Sequence, residues 1–350
     1  MEQPSKLRLQ DFKPTSKLEL RETKILNPRF PVIDAHNHLG EEFGGGWVNR
    51  PVDELIEVLD QASVDVLVDM DGGWGEEILE RHLDHFKAAA PDRFLHFGGV
   101  DWSKWSEHGD RFGDWAAKRL RDQVRRGARG LKIWKVLGLS VRDQEDRLVS
   151  VDDRRLDPIW ETAAELDIPV LIHVADPTAF FDPLDQYNER WEELNRHPNW
   201  HFPPSLFPTF QEIIHQFSNL VSRHPHTIFI GAHVGCYSEN LRWVGDLINS
   251  TSNLFIDIGA RISELGRQPY SARRFLIEHA DRILFGTDLA PDVEMYRLHF
   301  RFLETDDEYF DYSHDEIPPQ GRWRIYGVSL SDGVLEKIYS ANAKRVLGME

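Results

Sequence analysis

Pro31-Val32-Ile33-Asp34-Ala35-His36-Asn37-His38-Leu39-Gly40 decides how this chain is read. A short apolar run leads into His-x-His and stops at glycine, as a strand does when it ends at a turn. Alternate residues of a strand share a face, which sets Asp34, His36 and His38 on one side. Two imidazoles at that spacing suit one metal ion, with Asp34 beneath them. An isolated His-x-His is more often a strand end with two unrelated surface histidines, so its meaning depends on the rest of the chain.

Apolar strand-like runs recur at Val32–His36, Val64–Asp69, Phe94–Val100, Gly130–Val136, Pro169–Val174, Thr227–Ala232, Leu254–Ile258 and Arg282–Phe285. Amphipathic stretches separate them at Val52–Ala62, Glu76–Ala90, Arg111–Arg126, Pro158–Leu166, Phe210–Arg223, Glu239–Ile248 and Ala272–His279, and Val334–Leu347 follows the last. Strand–helix alternation repeated eight times is the signature of an α/β fold with a parallel sheet, and eight units close a (β/α)8 TIM barrel. An open doubly wound sheet is the alternative, weakened by the lack of Gly-x-Gly-x-x-Gly after an early strand. Residues 1–30 read as a short N-terminal arm in which Lys6-Leu7-Arg8-Leu9 and Lys17-Leu18-Glu19-Leu20 alternate like a small hairpin or edge strands. Residues 31–350 then form the barrel domain. Two connections exceed the usual few residues. The stretches 176–208, after the fifth strand, and 289–330, after the eighth, are rich in aromatics and read as lids or pocket walls, with an oligomer contact as the plainer explanation.

Composition removes several classes of function. The 350 residues hold 41 Lys plus Arg against 59 Asp plus Glu, a formal charge of −18. Such a surface repels phosphate backbones and anionic membranes, so a small-molecule substrate is expected and no nucleic acid or membrane partner. No apolar run approaches the ~20 residues that span a bilayer. The first thirty residues carry charges throughout and lack the apolar segment of a signal peptide. The single cysteine, Cys236, excludes an intramolecular disulfide and a thiolate metal cage. A cytoplasmic protein is expected, with a homo-oligomer as a guess from the aromatic insertions.

In a barrel the C-terminal ends of all strands converge on one mouth. Listing the strand ends is therefore the test of His-x-His. The first ends at His36 and His38, the fifth (PVLIHVAD) at His173, the sixth (TIFIGAHVG) at His233 and the eighth (RILFGTDLA) at Asp288. Three imidazoles and a carboxylate suit a borderline divalent ion, with Zn2+ favoured and Mn2+ or Fe2+ as alternatives. Such an ion brings the pKa of a bound water toward ~7. His233 and Asp288 are the candidates for moving its proton.

The segments VIDAHNHLG, LIHVAD, FIGAHVG, ILFGTD and the terminal IYSANAKRVLG resemble the amidohydrolase superfamily, and within it the amidohydrolase-2 branch that includes aminocarboxymuconate-semialdehyde decarboxylase. They span residues 32–348 and are specific for the superfamily as a set, not for a substrate. The resemblance implies metal ligands at His36, His38, His173 and Asp288, and a catalytic role in activating water or substrate for His233. Many amidohydrolases carry a carboxylated lysine at the end of strand four bridging two metals. Lys132 or Lys135 in ARGLKIWKV is placed for that, or for a substrate carboxylate; one ion is favoured over two.

Other residues rank lower. Arg261, past the seventh strand, is suited to pair with an anionic substrate. Trp102 and Trp134 stand at pocket level, though tryptophan is more often simply packed. Asp69, Asp71 and Asp101 end strands two and three as supporting or structural groups. Cys236 is expected to be buried and inert. His82, His85, His108, His215 and His224 are expected to be solvated. The leading expectation is hydrolysis of a small polar, carboxylate-bearing ester, lactone or amide by metal-bound hydroxide. The alternative is non-oxidative decarboxylation of an aromatic or unsaturated acid in the same site, and a catalytically silent binding protein is the third reading.

Overall fold

The computed structural model describes residues 7–8 and 11–349. Eight parallel strands follow in chain order: β1 (Val32–Asn37), β2 (Val64–Asp69), β3 (Phe94–Gly98), β4 (Gly130–Ile133), β5 (Val170–Ile172), β6 (Phe229–Gly231), β7 (Leu254–Asp257) and β8 (Ile283–Leu284). Each pairs with its sequence neighbour. The ends of the sheet meet through Ala35 N–H to Phe285 O at 2.9 Å and Asp288 N–H to His36 O at 2.8 Å. This is the (β/α)8 barrel that the strand–helix alternation predicts.

Two apolar layers hold it. Ile33, Ala35, Val66, Val68, Phe97, Leu171, Ile230, Phe255 and Leu284 fill the barrel interior. The opposite strand faces, with Leu67, Phe94, Leu131, Val170, Ile172, Phe229 and Ile256, pack against the helices. Both faces being apolar is why the strands read as continuous hydrophobic runs. Burying each such side chain is worth roughly 1.5–3 kcal/mol.

The helix Val52–Ala62 matches its expected span, as does Phe210–Arg223, which starts with a capping box between Thr209 and Glu212. Most aromatics of the 289–330 segment turn inward: Tyr296 and Phe300 on the helix Val293–Glu304 are buried, and Phe300 packs against Phe285 and Tyr339. That helix occupies the outer layer beside the last strand.

The arm departs from expectation. Residues 17–20 form no strand, and Lys6 and Leu9 of the first alternating stretch lie outside the described residues. The arm is tied down by side chains instead, Thr23 to Asp307 at 2.7 Å and Arg29 N–H to Glu304 at 3.0 Å.

Candidate active site at the barrel mouth

The His-x-His stretch acquires its geometry from a bulge. The β1–β2 pairing runs Asp34 with Leu67 and then Asn37 with Asp69, so β1 has one extra residue where His36 lies. Asp34 does not face the histidines as a ligand. Its buried carboxylate accepts from Thr287 N–H (3.0 Å), the Thr287 hydroxyl (2.6 Å), Asn37 Nδ2 (2.7 Å) and the Tyr296 hydroxyl (2.9 Å). It therefore pins β1 to the segment after β8.

Each histidine of the motif is oriented by a carboxylate. His36 Nδ1 donates to Asp257 Oδ2 at 2.9 Å, and His38 Nδ1 donates to Asp71 Oδ1 at 2.7 Å. Asp257 Oδ1 also accepts from the backbone N–H of His233 (3.1 Å) and of Gly259 (2.8 Å), and Asp71 Oδ2 from that of Leu39 at 2.9 Å. Holding Nδ1 as the donor leaves Nε2 of both rings to face Asp288. Asp288 Oδ1 lies 3.2 Å from His38 Nε2 and 3.7 Å from His36 Nε2, while Oδ2 lies 3.6 Å from His233 Nε2.

Burial alone would raise the Asp288 carboxyl, but the surrounding His36, His38 and His233 hold it well below the ordinary carboxylate range. Burial likewise pushes His38 down, but Asp288 and Asp71 on its two nitrogens outweigh that and raise it to about 9. His233 goes the other way, lowered well below the usual imidazole range by burial and by the neighbouring His173 and Arg261. Its Nδ1 donates to the Gly259 carbonyl at 2.8 Å, so the neutral ring keeps an unprotonated Nε2 toward Asp288.

Backbone strain accompanies these positions. His233 (φ 58°), Val234 (φ 60°) and Asp288 (φ 51°) all adopt left-handed conformations, which cost a β-branched residue such as Val234 most.

The donor set suits a divalent cation. Ligating atoms of His36, His38 and Asp288 lie within 4.8 Å of one another. His173 stands outside that group. Its ring packs edge-on against His233 at 4.4 Å between centroids, and its buried Nε2, 3.3 Å from Asp176 Oδ1 but poorly aligned, makes no hydrogen bond. An orphaned, buried nitrogen beside the cluster is what a fourth ligand requires, and burial keeps this ring neutral by lowering it to about 4.

The two lysines separate. Lys132 is buried with Nζ 3.0 Å from His36 Nε2, and burial lowers it to about 8, partly offset by Asp288 and Asp257. Lys135 pairs with Asp176, the carboxylate beside His173 Nε2. Arg261 is buried, donates to Ala260 O at 2.8 Å and makes no ion pair among the described residues. Trp134 stacks on His38 with centroids 5.1 Å apart, whereas the half-buried Trp102 stacks on Phe112 against the core. Cys236 is buried, and burial pushes its thiol up to about 11.

Two sequence readings need correction. His82 is buried, not solvated: its Nδ1 donates to Asp69 Oδ2 at 2.7 Å, and His96 Nδ1 donates to the same oxygen at 2.9 Å. Asp69 in turn accepts from Asp71 N–H at 3.2 Å and so supports the residue that orients His38. His224 is buried as well, 3.0 Å from Asp157. Asp257 was absent from the sequence candidates, although it ends β7 as Asp69 ends β2.

With this geometry in hand, comparison with known proteins assigns the class. The chain belongs to the amidohydrolase family, whose sequence profile matches residues 33–349. Solved structures share its fold. One is 2,6-dihydroxybenzoate decarboxylase from Rhizobium, 19% identical over 91% of this chain and 98% of that one, with a TM-score of 0.57. Another is dihydroxybenzoic acid decarboxylase from Polaromonas sp. JS666 with manganese and the inhibitor 2-nitroresorcinol, 18% identical over 91% and 97%, TM-score 0.55. A third is 5-carboxyvanillate decarboxylase from Novosphingobium aromaticivorans DSM 12444 with manganese and 4-hydroxy-3-methoxy-5-nitrobenzoic acid, 15% identical over 85% and 80%, TM-score 0.52. A search of curated proteins finds no match. No helix among the described residues is long and apolar enough to cross a membrane.

Proposed function

We propose that this protein is a metal-dependent, non-oxidative decarboxylase of hydroxylated aromatic acids. This is the alternative of the sequence reading, now preferred over hydrolysis because the structurally similar proteins act on such acids. The observation that carries it is the His233–Asp288 pair, a neutral imidazole with its free Nε2 facing a carboxylate in a site whose histidines are all buried. Decarboxylation breaks the bond from ring carbon to carboxylate, leaves the electron pair on the carbon, releases CO2 and adds a proton to that carbon. A site sheltered from water suits a proton that must reach carbon.

His36, His38, His173 and Asp288 would hold a divalent cation, which when bound would supply positive charge for the substrate's oxygens. His233 Nε2 takes the proton of a ring hydroxyl and returns it to the ring carbon, while the Asp288 carboxylate stabilises the imidazolium that carries it. Arg261, buried and without an ion-pair partner among the described residues, offers its guanidinium to the anionic substrate. Asp257 and Asp71 hold the imidazoles of His36 and His38 in the ligating tautomer.

The test is incubation of Mn2+-loaded protein with 2,6-dihydroxybenzoate in D2O. CO2 and singly ring-deuterated resorcinol are expected, with His233→Ala slower by about 10²–10⁴-fold. Hydrolysis is the second reading. It is favoured by the Asp288 side chain, which is 20% exposed and thus open to water. Turnover of carboxylic esters or lactones without CO2 release would establish it.

A further inference from the structure

Beyond the histidine cluster, the mouth carries a ladder of rings that the proposed chemistry leaves unused. His38 stacks on Trp134, and Trp134 stacks on Trp74 with centroids 3.9 Å apart and planes at 25°. Phe43 stands beside all three, 6.0 Å from His38, 6.3 Å from Trp134 and 6.2 Å from Trp74, nearly parallel to the last at 14°. Lys132 Nζ lies 4.5 Å from the centre of the Trp134 ring. Exposure rises outward along this series. His38 and Trp134 are buried, whereas Trp74 is 43% and Phe43 45% exposed.

Glycines bring these two outer rings to the mouth. Trp74 lies in Gly72-Gly73-Trp74-Gly75, and Phe43 is followed by Gly44-Gly45-Gly46. A Cβ on Gly73 would fall 2.6 Å from Trp134 Nε1 and 2.7 Å from Lys132 Cγ, and one on Gly44 would fall 2.4 Å from the His38 carbonyl oxygen. Both turns thus depend on the absence of a side chain to approach the site. Rings placed for packing alone would be buried. Here two large rings stay 43% and 45% exposed beside the buried His38 and Trp134, an arrangement that suits a recognition surface.

We propose that Phe43 and Trp74 form the ring-recognition wall of the site, against which a flat aromatic substrate stacks as its carboxylate end reaches Arg261. The inference rests on the aromatic-acid reading above and adds the residues that select ring-bearing acids over aliphatic ones. An aliphatic acid of equal charge gains nothing from the two faces.

The experiment uses full-length, Mn2+-loaded protein with 2,6-dihydroxybenzoate as substrate probe and 2-nitroresorcinol as binding probe. For Trp74→Ala and Phe43→Ala we expect KM and the 2-nitroresorcinol Kd to rise about tenfold, as loss of one ring–ring contact with its buried area implies, with a smaller change in kcat. Trp74→Phe should recover most of the loss, and manganese content should match wild type. Unchanged KM and Kd in both alanine variants would overturn the proposal and leave the decarboxylase reading standing. A fall in manganese content that parallels kcat would also overturn it, since the rings would then merely prop His38. Wild-type protein that neither binds 2-nitroresorcinol nor turns over the acid would defeat both readings together.

Discussion

Replacing Asp257 by Asn tests whether the site is assembled from its supporting carboxylates. The aspartate is fully buried and divides its oxygens, with Oδ2 accepting from His36 Nδ1 at 2.9 Å and Oδ1 accepting from the backbone of His233 and Gly259. An asparagine that keeps its oxygen on the two backbone groups presents an N–H to the His36 N–H. The ring must then either lose its partner or move its proton to Nε2, the atom proposed as a ligand. Loss of a charge-assisted bond costs about 1.5–3 kcal/mol. Loss of a carboxylate behind a ligating histidine typically weakens metal binding 10–100-fold, or about 1.4–2.8 kcal/mol. The two figures agree, so the Kd for Mn2+ is expected to rise by that factor. Competition against a fluorescent chelator measures it, with circular dichroism to verify folding. Asp307→Asn is the control, because that buried carboxylate binds Thr23 and Arg301 and touches no site residue. It should lower stability without changing the Kd. An Asp257→Asn protein that folds and binds Mn2+ within threefold of wild type would refute the reasoning.

Other expectations are independent of the metal. His299 is fully buried, and burial lowers it from 6.5 to about 4. The unfolded chain therefore takes up a proton near pH 6.5 that the folded chain refuses until about pH 4, so this stabilisation is complete above 6.5 and is lost as pH falls across that window. His299→Leu should flatten the urea-unfolding free energy between pH 7 and pH 4 by up to ~3 kcal/mol, and an unchanged slope would contradict the assignment. Arg190 is buried between Glu193 and Glu264. Arg190→Ala leaves two carboxylates without their cation and should cost about 3–5 kcal/mol by chemical denaturation, partly regained when Glu264→Gln is added. Equal stability of the single and double variants would argue against that pairing.

How far the sequence could be read depends on which physical rule governed each element. The strands were legible because a barrel buries both faces of its sheet, so each appears as an apolar run bounded by turns. The convergence of His36, His38, His233 and Asp288 followed from topology alone, since strand ends share one mouth. His173 arrives beside them by the same rule, but its ring orientation did not follow, because it answers to His233 and Asp176, which local sequence does not encode. Asp257 was within reach, as applying the strand-end test to LFIDIGAR would have found it. His82 was misread because it was taken singly; it follows Leu79 by three residues and precedes Phe86 by four, the spacing of a buried helix face. The arm's alternation promised strands, but a closed barrel has no free edge for them to join. Phe43 and Trp74 carried a signal in their glycine neighbours, which periodicity does not weigh.

The seam between β1 and β8 has a consequence for how the protein comes into being. Asp34 and Thr287, joined across it, are 253 residues apart in the chain. His36 and Asp288 sit on opposite sides of the same junction. Until the ribosome has delivered the last strand, no nascent intermediate can present both halves of the cluster, however well its earlier units have collapsed. If the proposed ligands hold a cation, its acquisition is deferred to the end of synthesis, and its uptake becomes a timestamp for ring closure that a stopped-flow refolding trace can follow.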